Sequence, residues 1–414
     1  MAREMKNSGI EWLGNIPADW NIVKIGSQYT ERKTKVSDKD YPPLSVTMKG
    51  IVPQLATAAK SDAHDDRKLV CVGDFAINSR SDRRGSCGIS EYDGSVSLIN
   101  TILAPRDEMN PRYYNWLFHS TMFSDEFYKW GHGIVDDLWT TNWQDMKRIA
   151  IPEPTLSEQE RIADFLDRTC AEIDTVIEKT KATIEEYKKL KQSVITEAVT
   201  KGIRGDRAMK DSGVEWIGDI PAEWNVKKLK YTSEFKQNKY NEADGDLTYI
   251  GLENIVAWNG QYIETASEYD KEQSLICEAN DILFGKLRPY LAKVYISPKK
   301  QCCSGEFCVI AIKEQNTKFM WYQLISHGFI FMVDRSTYGT KMPRANADYV
   351  KNMSVSIPSL EEQEEIADFL DRKCAKFDKL IADKTHLLEE MESYKKSVIY
   401  EYVTGKKEVN NING

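Results

Sequence analysis

No stretch of this sequence reaches 18 consecutive apolar residues, so a helical membrane span is excluded. The opening residues Met1-Ala-Arg-Glu-Met-Lys-Asn-Ser lack the apolar core of a signal peptide. With a mean hydropathy of -0.52, the expectation is a cytoplasmic protein. Long runs of one charge are missing, while hydrophobic residues reach 41% and aromatics 10%; wholesale disorder is therefore not expected. The five histidines are scattered (64, 119, 132, 327 and 386), so no His-based metal site is supported. None of the eight cysteines forms a C-x-x-C pair, and the reading is reduced, small apolar packers. Cys302, Cys303 and Cys308 are close enough in sequence to consider as metal ligands, but no His accompanies them. Catalytic signatures are also missing. Phe284-Gly285-Lys286-Leu287 lacks the Ser/Thr and the first Gly of a phosphate-binding loop. Gly131-His132-Gly133 is a fragment of a dinucleotide motif, and neither G-x-S-x-G nor H-E-x-x-H occurs. Tyr41-Pro42-Pro43-Leu44 has neither the acid or amide before the prolines nor the aromatic after them that an amino-methyltransferase motif needs; it reads as a turn into a strand.

What is present is repetition. Residues 5–21, MKNSGIEWLGNIPADWN, return at 209–225 as MKDSGVEWIGDIPAEWN, with 12 of 17 positions identical at an offset of 204. Residues 156–177 return at 360–381 with 15 of 22 identical and the same offset. The stretches between, roughly 22–150 and 226–356, share little. A unit of this length is too long for a solenoid repeat and reads as a duplicated module with pseudo-twofold organisation.

The repeated tail begins with Ile151-Pro152-Glu153-Pro154, which cannot be helix interior. Ser157 with Glu160 has the spacing of a capping box. Apolar residues then recur at alternating three and four, and no Pro or Gly interrupts 157–200. Such a helix would be roughly 66 Å long. The expected seam is Ile162, Leu166, Ile173, Ile177, Ile184, Leu190 and Val194. In the second copy it is Ile366, Leu370, Phe377, Ile381, Leu388, Met391 and Val398. One helix cannot bury its stripe alone, so the two are expected to pair as an antiparallel intramolecular coiled coil. The alternative is that each packs only on its own globular neighbour. The fold expected is α+β: two mixed α/β domains separated by two long helices. The boundaries drawn are 1–156, 157–207, 208–356 and 357–414.

The net charge of -8, from 56 basic and 64 acidic residues, at first argues against a nucleic-acid binder. By segment it is -1 over 1–150, -2 over 151–207, -1 over 208–356 and -4 over 357–414. The tails thus carry most of it, and the variable regions are near neutral with local basic clusters. These are Arg32, Lys33 and Lys35; Arg80, Arg83 and Arg84; Lys286, Arg288 and Lys293; and Lys341 with Arg344. Loop Arg and Lys reach phosphates, and Arg reads guanine through paired hydrogen bonds; ordinary solvated surface is the other reading. The clusters at 80–88 and 286–293 both follow strands led by an Asp, Asp74 and Asp281, in segments read as strand pairs around a turn. Tyr113-Tyr-Asn-Trp-Leu-Phe-His and Phe319-Met-Trp-Tyr-Gln-Leu-Ile read as aromatic core helices rather than base-stacking platforms.

Ser8-Gly9-Ile10-Glu11-Trp12-Leu13-Gly14 with Ile16-Pro17-Ala18-x-Trp20, repeated at 212–224, resembles the specificity subunits of type I restriction–modification enzymes. So do Leu-x-Glu-Gln-Glu-x-Ile-Ala-Asp-Phe-Leu-Asp at 156–167 and 360–371, Asn280-Asp-Ile-Leu-Phe-Gly-Lys-Leu-Arg-Pro-Tyr-Leu, and Gly339-Thr-Lys-Met-Pro-Arg-Ala-Asn. The first half departs from the last pattern with Gly133-Ile-Val-Asp-Asp-Leu. The resemblance implies a non-catalytic subunit with two target-recognition domains, each reading half of a split double-stranded DNA sequence. It implies docking of two methyltransferase subunits and of restriction subunits, with S-adenosylmethionine, ATP and Mg bound by those partners and no cofactor by this chain.

Overall fold

The computed structural model describes residues 3–54, 65–133, 139–265, 274–337, 339 and 341–409. The chain forms two compact units, Met1–Lys181 with His386–Gly414, and Ala182–Thr385.

The first unit holds a four-stranded antiparallel sheet in the order Cys87–Ile89, Phe75–Asn78, Asn100–Pro105, Tyr29–Glu31. A three-stranded sheet runs Gly94–Val96, Arg67–Val70, Lys35–Val36, and Leu44–Thr47 pairs with Gly50–Pro53. Helices Pro111–His119 and Thr121–Lys129 are capped by the Asn110 and Ser120 side chains. They bury Tyr113, Tyr114, Phe118, Phe123 and Phe127 with Tyr29 and Phe75 in an aromatic core. The second unit repeats the four-stranded sheet and the helix pair, beside a three-stranded sheet of different order. Its four-stranded sheet runs Val294–Ile296, Ile282–Gly285, Phe307–Ile312, Ser233–Lys236, and its three-stranded sheet Tyr249–Ile250, Gln301–Cys303, Leu275–Cys277. Helices Thr317–Ile325 and His327–Arg335 bury Phe319, Met320, Tyr322 and Phe329. Both aromatic-rich segments are therefore core helices.

The segments read as strand pairs need correction. Arg67–Val70 and Phe75–Asn78 lie in different sheets, as do Leu275–Cys277 and Ile282–Gly285. Between each two strands the chain crosses from the small sheet to the large one. The crossing is held by an Asp side chain: Cys71 N–H donates to Asp74 Oδ2 (2.8 Å) and Glu278 N–H to Asp281 Oδ2 (2.7 Å).

The two repeated blocks touch each other within each unit. The opening motif is a hairpin, Met5–Asn7 with Asn15–Pro17 and Met209–Asp211 with Asp219–Pro221. It delivers a buried tryptophan to the start of a long helix. Trp20 Nε1 donates to Glu158 (2.8 Å) and Trp224 Nε1 to Glu362 (3.0 Å). Arg3 bridges Glu158 and Asp19, and Arg207 bridges Glu362 and Glu223. These contacts explain why the blocks recur together.

The long helices are Leu156–Lys201 and Leu360–Val403. Their starts lie slightly earlier than the expected Ser157 cap: Thr155 Oγ1 accepts from Glu158 N–H and Ser359 Oγ from Glu362 N–H, both at 3.3 Å. Gly202 and Gly405, both at positive φ, follow their ends. In the first unit Phe165 packs on Tyr402, Asp174 pairs with Lys395 (2.6 Å) and Lys181 with Glu392 (3.6 Å). Residue numbers rise on one helix as they fall on the other, so the packing is antiparallel. In the second unit Lys191 pairs with Asp378 (2.6 Å), the copy of the Asp174–Lys395 pair at the 204 offset.

Of the expected seam, Ile162, Leu166, Ile173, Ile177, Ile184, Ile366, Leu370 and Val398 are buried. Val194, Phe377, Ile381, Leu388 and Met391 are half-buried. Leu190 is not part of the seam, being 50% exposed. The buried face continues from Ile184 through Lys191, Ile195, Ala198 and Val199. Lys191 holds the inward position because its ammonium meets Asp378 there, which turns Leu190 outward.

Candidate nucleic-acid interface

The structure sorts the eleven predicted basic residues by what already holds them. Arg32 forms two hydrogen bonds to Asp74 (2.6 and 3.0 Å), whose side chain is only 3% exposed. That carboxylate drives the Arg32 guanidinium pKa further up. Arg32 thus balances a buried acid. The second unit does the same with Lys236 on Asp281 (2.8 Å), a lysine outside the basic clusters visible in the sequence. Lys293 donates to the Leu252 carbonyl (2.6 Å), and burial lowers its pKa. Arg344 is held bidentate by Glu306 (3.0 and 2.7 Å). Lys33 and Lys35 are exposed and pair loosely at the surface with Glu31 (3.3 Å) and Asp66 (2.5 Å).

Arg80 and Arg84 flank the single turn Ser81–Arg83, which ends in Arg83. Arg83 and Arg84 are exposed, Arg83 at 3.5 Å from Asp82 and Arg84 at 3.1 Å from Asp125 over the Tyr128 ring. Lys286 is half-buried, and Arg288 and Lys341 are exposed.

Distance in sequence hid one arrangement. In the second unit the loops carrying Lys286/Arg288 and Lys341/Arg344 are joined by backbone bonds. Arg288 N–H donates to the Pro343 carbonyl (2.7 Å), and Ala345 N–H to the Lys286 carbonyl (2.9 Å). Two clusters thereby become one basic surface. The first unit joins its own loops alike: Arg80 bridges Thr140, and Thr141 N–H donates to the Ser79 carbonyl (3.0 Å). Thr140 and Thr141 thus lie beside the Arg80–Arg84 loop; residues 134–138 of the divergent Gly133-led segment, and Thr340 of the Gly339-led motif, lie outside the described residues. Exposed apolar side chains that sequence reading passed over, Tyr290 and Met342, stand in the joined loops of the second unit.

Among the described residues no three His, Cys, Asp or Glu side chains converge as a metal site. Cys302 and Cys303 are buried in the small sheet and Cys308 in the large one, where burial pushes the Cys308 thiol up to about 11. No helix among the described residues is long and apolar enough to cross a membrane.

Residues 221–392 match the type I restriction modification DNA specificity domain. The MjaVIII specificity subunit of Methanocaldococcus jannaschii is 24% identical, with 96% of this chain and 95% of that protein aligned. The EcoDI specificity subunit of Escherichia coli is 22% identical over 95% of this chain and 90% of its own length. Among solved structures, a chain from work on complex assembly and conformational transition of the type I R-M system superposes with a TM-score of 0.71 at 13% identity, covering 95% of this chain and 99% of that one. The HsdS subunit from Thermoanaerobacter tengcongensis gives 0.52 at 15% identity, covering 95% and 98%. These two share the fold. With the duplicated frame, the divergent units and the near full-length curated relatives, the chain is similar to the specificity subunits of type I restriction–modification systems.

Proposed function

We propose that this chain is the non-catalytic DNA-reading subunit of such an enzyme, each unit reading one half of an asymmetric bipartite sequence. One observation carries the reading. The same framework is built twice, and in each copy a loop with exposed basic residues is joined to a second, distant loop on a scaffold whose variable sequence differs. Two different readers on a repeated frame call for two different half-sites. Loops held by a rigid sheet suit base contact, while Lys and Arg around them supply the phosphate attraction.

The long helices are the natural place for protein partners. They carry the excess negative charge and keep repeated sequence where the readers diverge. Their proposed tasks are to set the spacer between half-sites and to dock two methyltransferase subunits and the restriction subunits. S-adenosylmethionine, ATP and Mg belong to those partners, and the assembly would work in the cytoplasm.

The test is to assemble the chain with its methyltransferase partner and sequence the methylated genome of a host carrying both. The expected result is one split motif. Reversing charge at Arg83 and Arg84 should weaken selection of one half of that motif and leave the other half selective. No split motif with the wild-type complex, or identical binding by the charge-reversed one, refutes the assignment.

A further inference from the structure

We infer that Arg288 reads a base edge, a guanine, in the half-site of the second unit, whereas its neighbours serve the phosphates. The inference rests on the DNA-reading function above and gives one residue a defined part in it.

The backbone at Arg288 has φ 50 and ψ 61, the left-handed region that a β-carbon disfavours. It is held there from several directions. Its N–H donates to the Pro343 carbonyl (2.7 Å), and its carbonyl accepts from Leu291 N–H (2.9 Å). One residue on, Pro289 is buried. Two residues back, Lys286 is bonded to Glu306 through its N–H (2.8 Å) and to Ala345 through its carbonyl (2.9 Å). The root of the Arg288 side chain is therefore anchored on both sides.

The guanidinium it carries is exposed and makes no ion pair among the described residues. Glu306, the carboxylate of this loop pair, is already held by Arg344. An anchored root with an unsatisfied planar fork is preorganised for two acceptors at a set spacing, as guanine O6 and N7 present them. Phosphate also accepts an Arg fork, so the fork alone does not choose between base and phosphate. The surroundings decide between the two. Tyr290 is 43% exposed and Met342 56% exposed in the same joined loops. Apolar groups gain nothing beside a phosphate, but they pack on base faces and on the thymine methyl. Lys341, exposed and on a long flexible stem, is the phosphate partner of this surface.

The experiment uses the assembled complex and duplexes carrying every single base-pair change in the target, measured at two salt concentrations. Arg288→Lys keeps the charge and removes the fork. It is expected to lose about 10- to 100-fold discrimination at one G·C pair of one half-site, with every other position and the other half-site unchanged. Arg288→Gln should lose the same preference. A uniform weakening across all duplexes, with the salt slope of Arg288→Gln lower by about one, identifies a phosphate contact and overturns the inference. Selectivity lost in both half-sites marks a residue that only holds the fold, and overturns it equally. Should the wild-type complex select no split sequence, the DNA-reading function itself fails before any variant is compared.

Discussion

A single carboxylate, Glu362, organises the start of the second module. It is buried, and it accepts from Trp224 Nε1 and pairs with Arg207. Burying a charge is tolerable only when its lone pairs are satisfied. Trp224→Phe removes one donor and is expected to lower stability by about 2 kcal/mol, read as a shift in the urea unfolding midpoint. His119 offers a test by pH. Its Nδ1 lies 2.7 Å from the Asn115 carbonyl, and burial lowers its pKa below the usual histidine value. The unfolded chain then takes up the proton first as pH falls. The stability that neutral His119 lends is complete above about pH 6.5 and is lost progressively below it. A urea midpoint that falls from pH 7.5 to 5.5, less steeply in His119→Asn, is the expected result. At this scale the sequence was a partial guide. Basic residues are visible in it, but whether an arginine is spent on a buried acid is not. Arg32 and Arg344 look like Arg288 until Asp74 and Glu306 are seen beside them.

Among the elements, the long helices were the most legible, because a sustained heptad pattern needs no distant information. The exception is instructive. Counting only apolar residues placed Leu190 in the seam, whereas the inward residue is Lys191, 9% exposed and paired with Asp378. A hydrophobic count cannot see a charge that is buried because its partner is. The strands flanking Asp74 and Asp281 were legible as strands, but their sheets were not, since strand partners lie far along the chain. If the helices set the spacer, inserting one heptad at matched positions in both should lengthen it by about 10 Å, or roughly three base pairs. Methylome sequencing of a host with the altered complex would show a longer gap between unchanged half-sites. An unchanged gap would remove the ruler.

For the molecule as a whole, the duplication was plain in the sequence, and the kinship of the variable regions was not. They share little sequence, yet both build a four-stranded sheet beside a three-stranded one under two helices. The order of the four-stranded sheet survives where identity does not, whereas the three-stranded sheets differ, Arg67–Val70 being central in the first and Leu275–Cys277 an edge strand in the second. The net charge of -8 likewise describes no surface in particular, because most of it lies on the repeated tails.

The make-up of the two units has a consequence for how the protein comes into being. The second unit is continuous, Ala182–Thr385, whereas the first needs His386–Gly414 as well as Met1–Lys181. Val398, Ile399 and Val403 share its core with Trp12, Trp20 and Tyr113. Lys406 also donates to the Leu13 and Asn15 carbonyls of its opening hairpin. A ribosome makes the chain from one end, so the unit begun first is finished last. Until those residues emerge, the first unit is a nascent segment with part of its core open to water, although every residue of the second unit has already been made.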